Sequence, residues 1–557
     1  MRTALLLLLF AGAAFAHGGV YRPPPRGNPF DPTPTPGRPG GGPTTAGAPK
    51  SQAAPTRWET WWGYNRERYL RIRERLQQRT VRSGTDAPNP TGELFDREGL
   101  RQTILTPLMI EALGHEEEEI RTAAAVALGK FRAKAAIKPL KKRFTDDRIR
   151  QVREAALVGL LLMRDASLRD WFRGVVESPK ETRRVRGMAV MALGFLGDSA
   201  YLESILKGKV KIDMRADLRE IHSTAALALG FTQSPFSGST LHKVTKQYEP
   251  SDAARAFAPV SLARLDYLPA VPTLLGLVKD RRADAGVRYG AAIAAGTLIP
   301  QADVETIELL GKKAQKDHDR TLRGFLAISL GRIGGDEAAK HLVAGLKYAQ
   351  PSERGFFYIA LGLTRSEEAG SLLLDEFKKI KNNSDRGACA IGIGLSGYRK
   401  AAPTLRKRVQ EKVNMDFTPH CMLALGLLDD RESIPVIQEL LKEYKDPALR
   451  SEGAVALALL RRTAAIPELI ELLRTSKSLR SRGAIVQALG LVGTDKAVDP
   501  LLEIYKDTKR PEVERAMALA ALGRIGDPDA IPLLATMTFD LNYYVGSEAV
   551  NELATIL

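Results

Sequence analysis

The stretch RSRGAIVQALGLVGTDKAVDPLLEIY, residues 480–505, restates one found some 360 positions earlier, IRTAAAVALGKFRAKAAIKPLKKRF at residues 120–144. Each runs from an Arg through alanines and aliphatics to Ala-Leu-Gly, breaks at a short polar turn, and resumes as a Pro-containing apolar stretch. Ala-Leu-Gly recurs at 127–129, 192–194, 228–230, 360–362, 424–426, 488–490 and 521–523, at separations close to multiples of about 33 residues. Filling the gaps gives one phase position per unit: Gly129, Leu161, Gly194, Gly230, Ala263, Gly296, Gly331, Gly362, Gly394, Gly426, Ala458, Gly490 and Gly523, with steps of 31–36 residues. A fixed period of this size marks a repeat array, whose units bury their apolar faces only by stacking on one another.

Each unit reads as two helices. The first carries small and aliphatic residues on nearly every turn, as in REAALVGLLL and RGMAVMALGFLG, which lets neighbouring helices approach closely. The Gly near its end suits a left-handed cap, and a polar turn such as GDS, GTD or GDPD supplies the next N-cap. Pro139, Pro272, Pro403, Pro435, Pro467, Pro500 and Pro532 stand nine or ten positions past the phase residue. Pro fits the first turn of a helix, whose N–H groups have no intrahelical acceptor, so these prolines mark the start of the second helix.

The R-x-x-A-x-x-A-L-G-x-[LIV]-G-D and A-[IV]-P-x-L-x-x-[LIY] blocks resemble HEAT-like repeats of the short variety associated with phycobiliprotein lyases. The resemblance covers residues 100–557 and implies an all-α fold, an α-solenoid of about thirteen two-helix units. It says little about activity, since such solenoids host unrelated roles.

The residues ahead of the array have a different character. MRTALLLLLFAGAAFA, residues 1–16, joins one early Arg, an apolar run too short to span a membrane and an Ala-Phe-Ala cleavage pattern, so it reads as a signal peptide. With that leader, the chain resembles exported bacterial HEAT-repeat proteins of unknown function. Residues 17–56 hold 11 Pro and 8 Gly, a composition that cannot bury a core and predicts a disordered tether. Residues 57–82, RWETWWGYNRERYLRIRERLQQRTVR, carry eight Arg and three Glu, with Trp58, Trp61, Trp62, Tyr69, Ile72 and Leu76 at helical spacing. This amphipathic helix is expected to cap the exposed apolar face of the first unit, next to an incomplete unit at Leu100 to Leu113; residues 83–99 read as linker. The competing reading is a docking helix for a membrane surface or acidic partner, and its candidate interaction residues are Trp58, Trp61, Trp62, Arg66, Arg68, Arg71, Arg73 and Arg75. Net charge is +17, and residues 1–82 hold 13 Lys or Arg against four acidic residues.

Chemistry-bearing motifs are sparse. Cys389 and Cys421 occupy alanine slots of adjacent units and read as two buried thiols. The seven His lack metal-ligand spacing. Hydroxylases related to deoxyhypusine hydroxylase hold two irons through repeated His-Glu pairs, and here only His115-Glu116 occurs. There is no G-x-S-x-G and no Gly-rich phosphate loop. His17, if first after cleavage, offers an α-amine and imidazole for copper, but its neighbours are the Gly-Pro tether. No catalytic residue, cofactor or metal is therefore assigned. An Arg stands eight residues before the phase position in eleven units, from Arg121 to Arg515. It reads either as a basic stripe for phosphate or sulfate, or as a ladder of ion pairs with turn carboxylates such as Asp198, Asp336, Asp495 and Asp527; HEAT-type families resemble the second case.

These features favour a non-catalytic, soluble scaffold, exported to the periplasm or the outside of the cell, that binds a protein along the curved face of its second helices. The alternative is a binder of anionic polymers or membrane surface through the basic N-terminal region, with no specific nucleic acid predicted. A lyase-like enzyme is third, disfavoured by the export signal.

Overall fold

The computed structural model describes residues 57–78, 96–212, 215–247, 251–411, 413–476, 478–493 and 495–541. The signal peptide (1–16), the tether (17–56) and most of the linker fall outside these residues. Every regular element among the described residues is helical. Four precede the first repeat: α1 (Trp58–Leu70), α2 (Ile72–Gln78), α3 (Arg97–Leu100) and α4 (Thr106–Ala112). From there the odd helices are the first helices of units one to thirteen: α5 (Glu118–Lys130), α7 (Arg150–Leu162), α9 (Arg183–Phe195), α11 (Arg215–Leu229), α13 (Asp252–Arg264), α15 (Ala285–Leu298), α17 (Arg320–Ile333), α19 (Pro351–Thr364), α21 (Asn383–Ser396), α23 (Thr418–Leu427), α25 (Pro447–Arg461), α27 (Leu479–Val492) and α29 (Glu512–Gly526). The even helices are their second helices: α6 (Ile137–Asp146), α8 (Arg169–Glu177), α10 (Ser199–Leu206), α12 (Ser237–Lys246), α14 (Val271–Lys279), α16 (Val304–Lys316), α18 (Gly335–Leu346), α20 (Glu367–Lys379), α22 (Ala402–Glu411), α24 (Ile434–Glu443), α26 (Ile466–Thr475) and α28 (Val498–Lys506); a short α30 (Leu533–Thr538) ends the described chain. Pro272, Pro435 and Pro467 lie at the first or second position of their helices, as a residue without an N–H requires.

The phase glycines have a different job from the one expected. They do not cap helices; they sit inside them, where consecutive first helices touch. A Cβ built on Gly362 would lie 2.2 Å from the carbonyl oxygen of Gly392, and one on Gly331 2.6 Å from that of Ala360. In unit after unit the phase residue meets the residue two before the next phase position, as Gly194 meets Ala228 and Gly426 meets Ala456. The left-handed residues that end the first helices fall three positions later, at Arg132, Arg164, Gly197, Gln233, Asp266, Gly334, Arg365, Gly397, Asp429 and Gly493.

The recurring arginines are corrected as well. They donate to carbonyl oxygens at the end of the preceding second helix: Arg186 to Val176 at 2.7 Å, Arg255 to Thr245 at 3.0 Å, Arg450 to Tyr444 at 3.0 Å and Arg515 to Tyr505 at 2.8 Å. A cation at a helix C-terminus satisfies orphan carbonyls and meets the negative end of the helix dipole. Where carboxylates join, they lie either at the next second-helix end, as with Arg121–Asp147 and Arg288–Asp317, both 3.0 Å, or on the next first helix, as with Arg323–Glu353 at 3.0 Å and Arg482–Glu514 at 2.5 Å. Asp198 pairs with Arg173 instead. Most of these arginines are buried staples between units, with Arg153 and Arg482 half-buried and only Arg354 exposed, so they do not form an exposed basic stripe.

The array closes on itself. Packing of α29 against α5 repeats the contact made by every other adjacent pair of first helices. A Cβ on Gly523 would come within 2.9 Å of the Cβ of Ala127, which stands two before Gly129, so the seam keeps the same register as the rest. The unit that bridges the seam is composite. Residues after α29 turn away from the second-helix position, and α3–α4 from the other end of the described chain fill it. Leu105 and Phe131 pack on the Gly526 position, and Arg121 donates to the carbonyls of His115 and Glu116 just after α4, at 2.9 and 2.6 Å, as its counterparts do to true second helices. The stretch that reads as an incomplete first unit is thus the missing half of the thirteenth. The first unit's apolar face is covered by the last unit and not by the Trp-rich helix.

Candidate interaction site: the ring interior and its rim

The Trp-rich helix lies inside the ring. Trp58 donates from Nε1 to Ser384 Oγ on α21 at 3.0 Å and meets the His420 ring of α23 edge-on; Trp61 packs on Phe356 of α19. One turn further, Arg66 forms a double hydrogen bond with Glu452 of α25 at 2.5 and 2.8 Å, both side chains fully buried. Glu67 accepts from Arg524 of α29 at 3.1 Å, and Tyr69 Oη from Arg332 of α17 at 2.7 Å. The helix therefore runs alongside the first helices, from their N-terminal ends to their C-terminal ends, and touches α17, α19, α21, α23, α25 and α29, while α2 meets α27. First helices line the interior; second helices form the outer wall.

The expected single helix over 57–82 breaks at Arg71, whose left-handed backbone (φ 43) ends α1 and re-aims α2. Arg73 then reaches the C-terminal end of α29, donating to the carbonyl of Asp527 at 2.9 Å, that of Asp529 at 3.1 Å and that of Arg524. Of the eight candidate residues, Trp58, Trp61, Trp62, Arg66 and Arg73 are buried within the ring. Arg68 is part-exposed beside Asp540 at 3.4 Å, Arg71 is exposed and paired with Glu74, and Arg75 turns back onto the Leu70 carbonyl at 2.8 Å. The apolar side of the helix thus faces the chain itself.

After α29 the chain also turns inward. Asp529 pairs with Arg132 at 2.7 Å and with Arg164, at the ends of α5 and α7. Asp540 receives Arg332, and its N–H donates to Asn65 Oδ1 of α1 at 3.1 Å; Arg264 of α13 donates to the Phe539 carbonyl at 2.9 Å. Against the burial that would raise it, the neighbouring Arg332 and Arg68 hold the Asp540 carboxyl below its usual range. Sequence reading missed these partners, although a signal existed. The position after the phase residue is Leu or Phe in most units but Lys130, Arg264, Arg332 and Arg524 in four, and Glu452 stands where other units place mostly Ala, Phe, Met or Gly. A charge in an otherwise apolar repeat slot marks a unit that faces something polar inside.

Cys389 and Cys421 are both free and buried, as the alanine-slot argument expects. Burial pushes the Cys421 thiol up to about 12, so it behaves as a small apolar side chain. Among the described residues no three His, Cys, Asp or Glu side chains converge to hold a metal, and no helix is long and apolar enough to cross a membrane.

The rim at the C-terminal ends of the first helices carries the exposed apolar residues of interest. Phe236, Leu268 and Val304 are 80%, 60% and 53% exposed. Phe236 and Leu268 stand in the turns between first and second helices of units four and five, and Val304 opens the second helix of unit six; the Gly238 position packs on Tyr267, so the first two turns adjoin. Other units place charge in that turn, such as Lys134, Glu367, Lys400 and Glu432. A groove of about 580 Å³ lies on the outer wall between α14 and α16, lined by the cations Lys279, Arg281, Lys312, Lys313 and Lys316 and by the carboxylates of Glu305, Glu308 and Asp317.

Comparison with known families places HEAT repeats at residues 99–160, 419–489 and 444–520, and a PBS lyase HEAT-like repeat at 514–538. No curated protein matches by sequence. Among solved structures, importin beta is similar at 13% identity over 77% of this chain and 70% of its own, with a TM-score of 0.39. The karyopherin Kap121p, solved with the extreme C-terminus of the phosphatase Cdc14p, is similar at 13% identity, TM-score 0.33; the match covers 82% of this chain but 56% of Kap121p. Human deoxyhypusine hydroxylase is similar at 18% identity over 47% of this chain and 96% of its own, TM-score 0.22. Repeat period, two-helix units and family match agree: the chain is a HEAT-like repeat protein.

Proposed function

We propose that the chain is a non-catalytic scaffold, exported under the direction of residues 1–16, that binds another protein on the outside of its ring. The observation that carries this reading is the run of Phe236, Leu268 and Val304 in three consecutive units. Single exposed apolar residues are ordinary, but three of them at successive junctions between first and second helices, where other units carry charge, mark an interaction surface. The neighbouring groove, where five cations outnumber the carboxylates Glu305, Glu308 and Asp317, suits a partner with acidic residues beside its apolar ones. The basic N-terminal helix supports the polymer or membrane alternative less, because its Trp face and Arg66 and Arg73 are engaged inside the ring.

The test is retention of a partner by the tagged mature chain (17–557) and by a triple variant, Phe236→Ser, Leu268→Ser and Val304→Ser, at low and high salt. A protein held by the parent at both salt concentrations and lost by the equally stable variant supports the reading. Retention that collapses with salt, or survives the triple substitution, overturns it.

A further inference from the structure

At the seam where the ring closes, positive charge exceeds negative in a half-buried place. Asp527 and Asp529, in the turn after α29, are the centre of the cluster. From inside, Arg73 reaches this turn, and Arg524 approaches it while paired with Glu67. From the composite unit come Arg97 of α3 and Arg101, which opens a π-helical turn over Arg101–Leu105 and pairs with Glu98. Lys130, Arg132 and Arg164 complete it from the ends of α5 and α7. Seven cations thus meet four carboxylates, Glu67, Glu98, Asp527 and Asp529.

Two observations show that this excess is not absorbed by ordinary pairing. Lys130 makes no ion pair among the described residues, and burial, with Arg524 and Arg73 nearby, lowers it to about 8 despite Asp527. The Nε atoms of Arg73, Arg101 and Arg164 are buried and donate to no group among the described residues. The carbonyl ends of the first helices attract some of the charge, as the three carbonyls under Arg73 show, but they do not engage Lys130 or these Nε groups. Like charges gathered out of water repel one another strongly unless an anion joins them. Arg132 is exposed and Arg164 part-exposed, which leaves the cluster open at the rim.

We propose that this seam binds a tetrahedral oxyanion, a phosphate or sulfate group, held by Arg101, Lys130, Arg132 and Arg164. Its charge supplies what the four carboxylates leave unmet. Because the cluster draws on both ends of the described chain, the anion also ties the composite unit shut, so its binding stabilises ring closure.

The test uses the mature full-length chain, with inorganic phosphate, sulfate and glycerol 3-phosphate each titrated against chloride at equal ionic strength. Calorimetry and thermal melting are the readouts. The expected result is saturable binding with a rise in melting temperature for phosphate or sulfate but not chloride. Affinity should fall about tenfold or more in Lys130→Met and in Arg101→Gln, the loss of one charge-assisted contact. Without added anion, Lys130→Met should melt no lower than the parent, which separates loss of binding from loss of fold. Glycerol 3-phosphate bound at least as tightly as phosphate assigns the site to a phosphorylated ligand, and weaker binding assigns it to the free anion. Binding no different from chloride, or variants that bind like the parent, would overturn the proposal.

Discussion

At Gly362 a neighbouring backbone occupies the space where a side chain would be, with the Gly392 carbonyl 2.2 Å from an added Cβ, whereas at Gly490 the nearest atoms stand at 3.3–3.4 Å and at Gly174 nothing lies within 4 Å. The three positions predict three outcomes for Gly→Ala. Gly362→Ala should destabilise by about 1–3 kcal/mol through forced separation of α19 and α21. Gly490→Ala should cost less, and Gly174→Ala on the exposed face of α8 should stabilise by up to about 1 kcal/mol, the helix-propensity gain. Urea denaturation that gives all three the same sign would remove close approach as the reason for the phase glycines. Asp385, beneath the start of α1, offers a pH test. Burial, opposed by Arg354 and reinforced by Glu59, raises its carboxyl to about 6. A raised carboxyl favours folding fully below its unfolded value near 4, and that contribution is lost as pH rises through about 6. Asp385→Asn should therefore melt above the parent at pH 7.5, with the gap closing by pH 4.5. A gap that is constant across this range would mean that Asp385 is not buried as a charge.

Among the elements, α1 is the one whose character was legible and whose place was not. Its Trp spacing announces an amphipathic helix, but amphipathicity states that a face must be covered without naming the cover. The cover proves to be the inner wall of units seven to thirteen, contributed by residues 263 to 457 positions away in sequence. Deleting residues 17–82 should lower the melting temperature and cause aggregation. It uncovers the aromatic wall at Phe356 and takes Arg66 from Glu452; the single change Arg66→Met, which leaves the Glu452 carboxylate buried and unpaired, should cost about 3–5 kcal/mol. Scanning calorimetry and light scattering of the truncated chain check this. An unchanged melting temperature with loss of partner binding would instead make α1 a docking helix.

For the molecule as a whole, closure is the property to measure. Glu117 and Glu512 are exposed on the two sides of the seam, nearly 400 positions apart in sequence, and Glu512 lies near enough to Glu119 to act on its charge. Spin labels on Glu117→Cys and Glu512→Cys should report a short, narrow distance, because Cys389 and Cys421 are too buried to compete for label. A long, broad distribution would mean an open solenoid. The sequence by itself determined the unit: its period, its two helices, the prolines that start the second and the alanine slots that bury both cysteines are local consequences of sterics and helix chemistry. It did not reveal that the phase glycines are contact points, since a small residue near a helix end suits a cap as well as a close approach. Nor did it reveal closure. Whether thirteen units form an open arc or a ring depends on the small rotation between successive units, summed around the whole stack. Only the tertiary structure decided that the sum brings Gly523 onto Ala127, gives α3–α4 to the last unit and encloses α1.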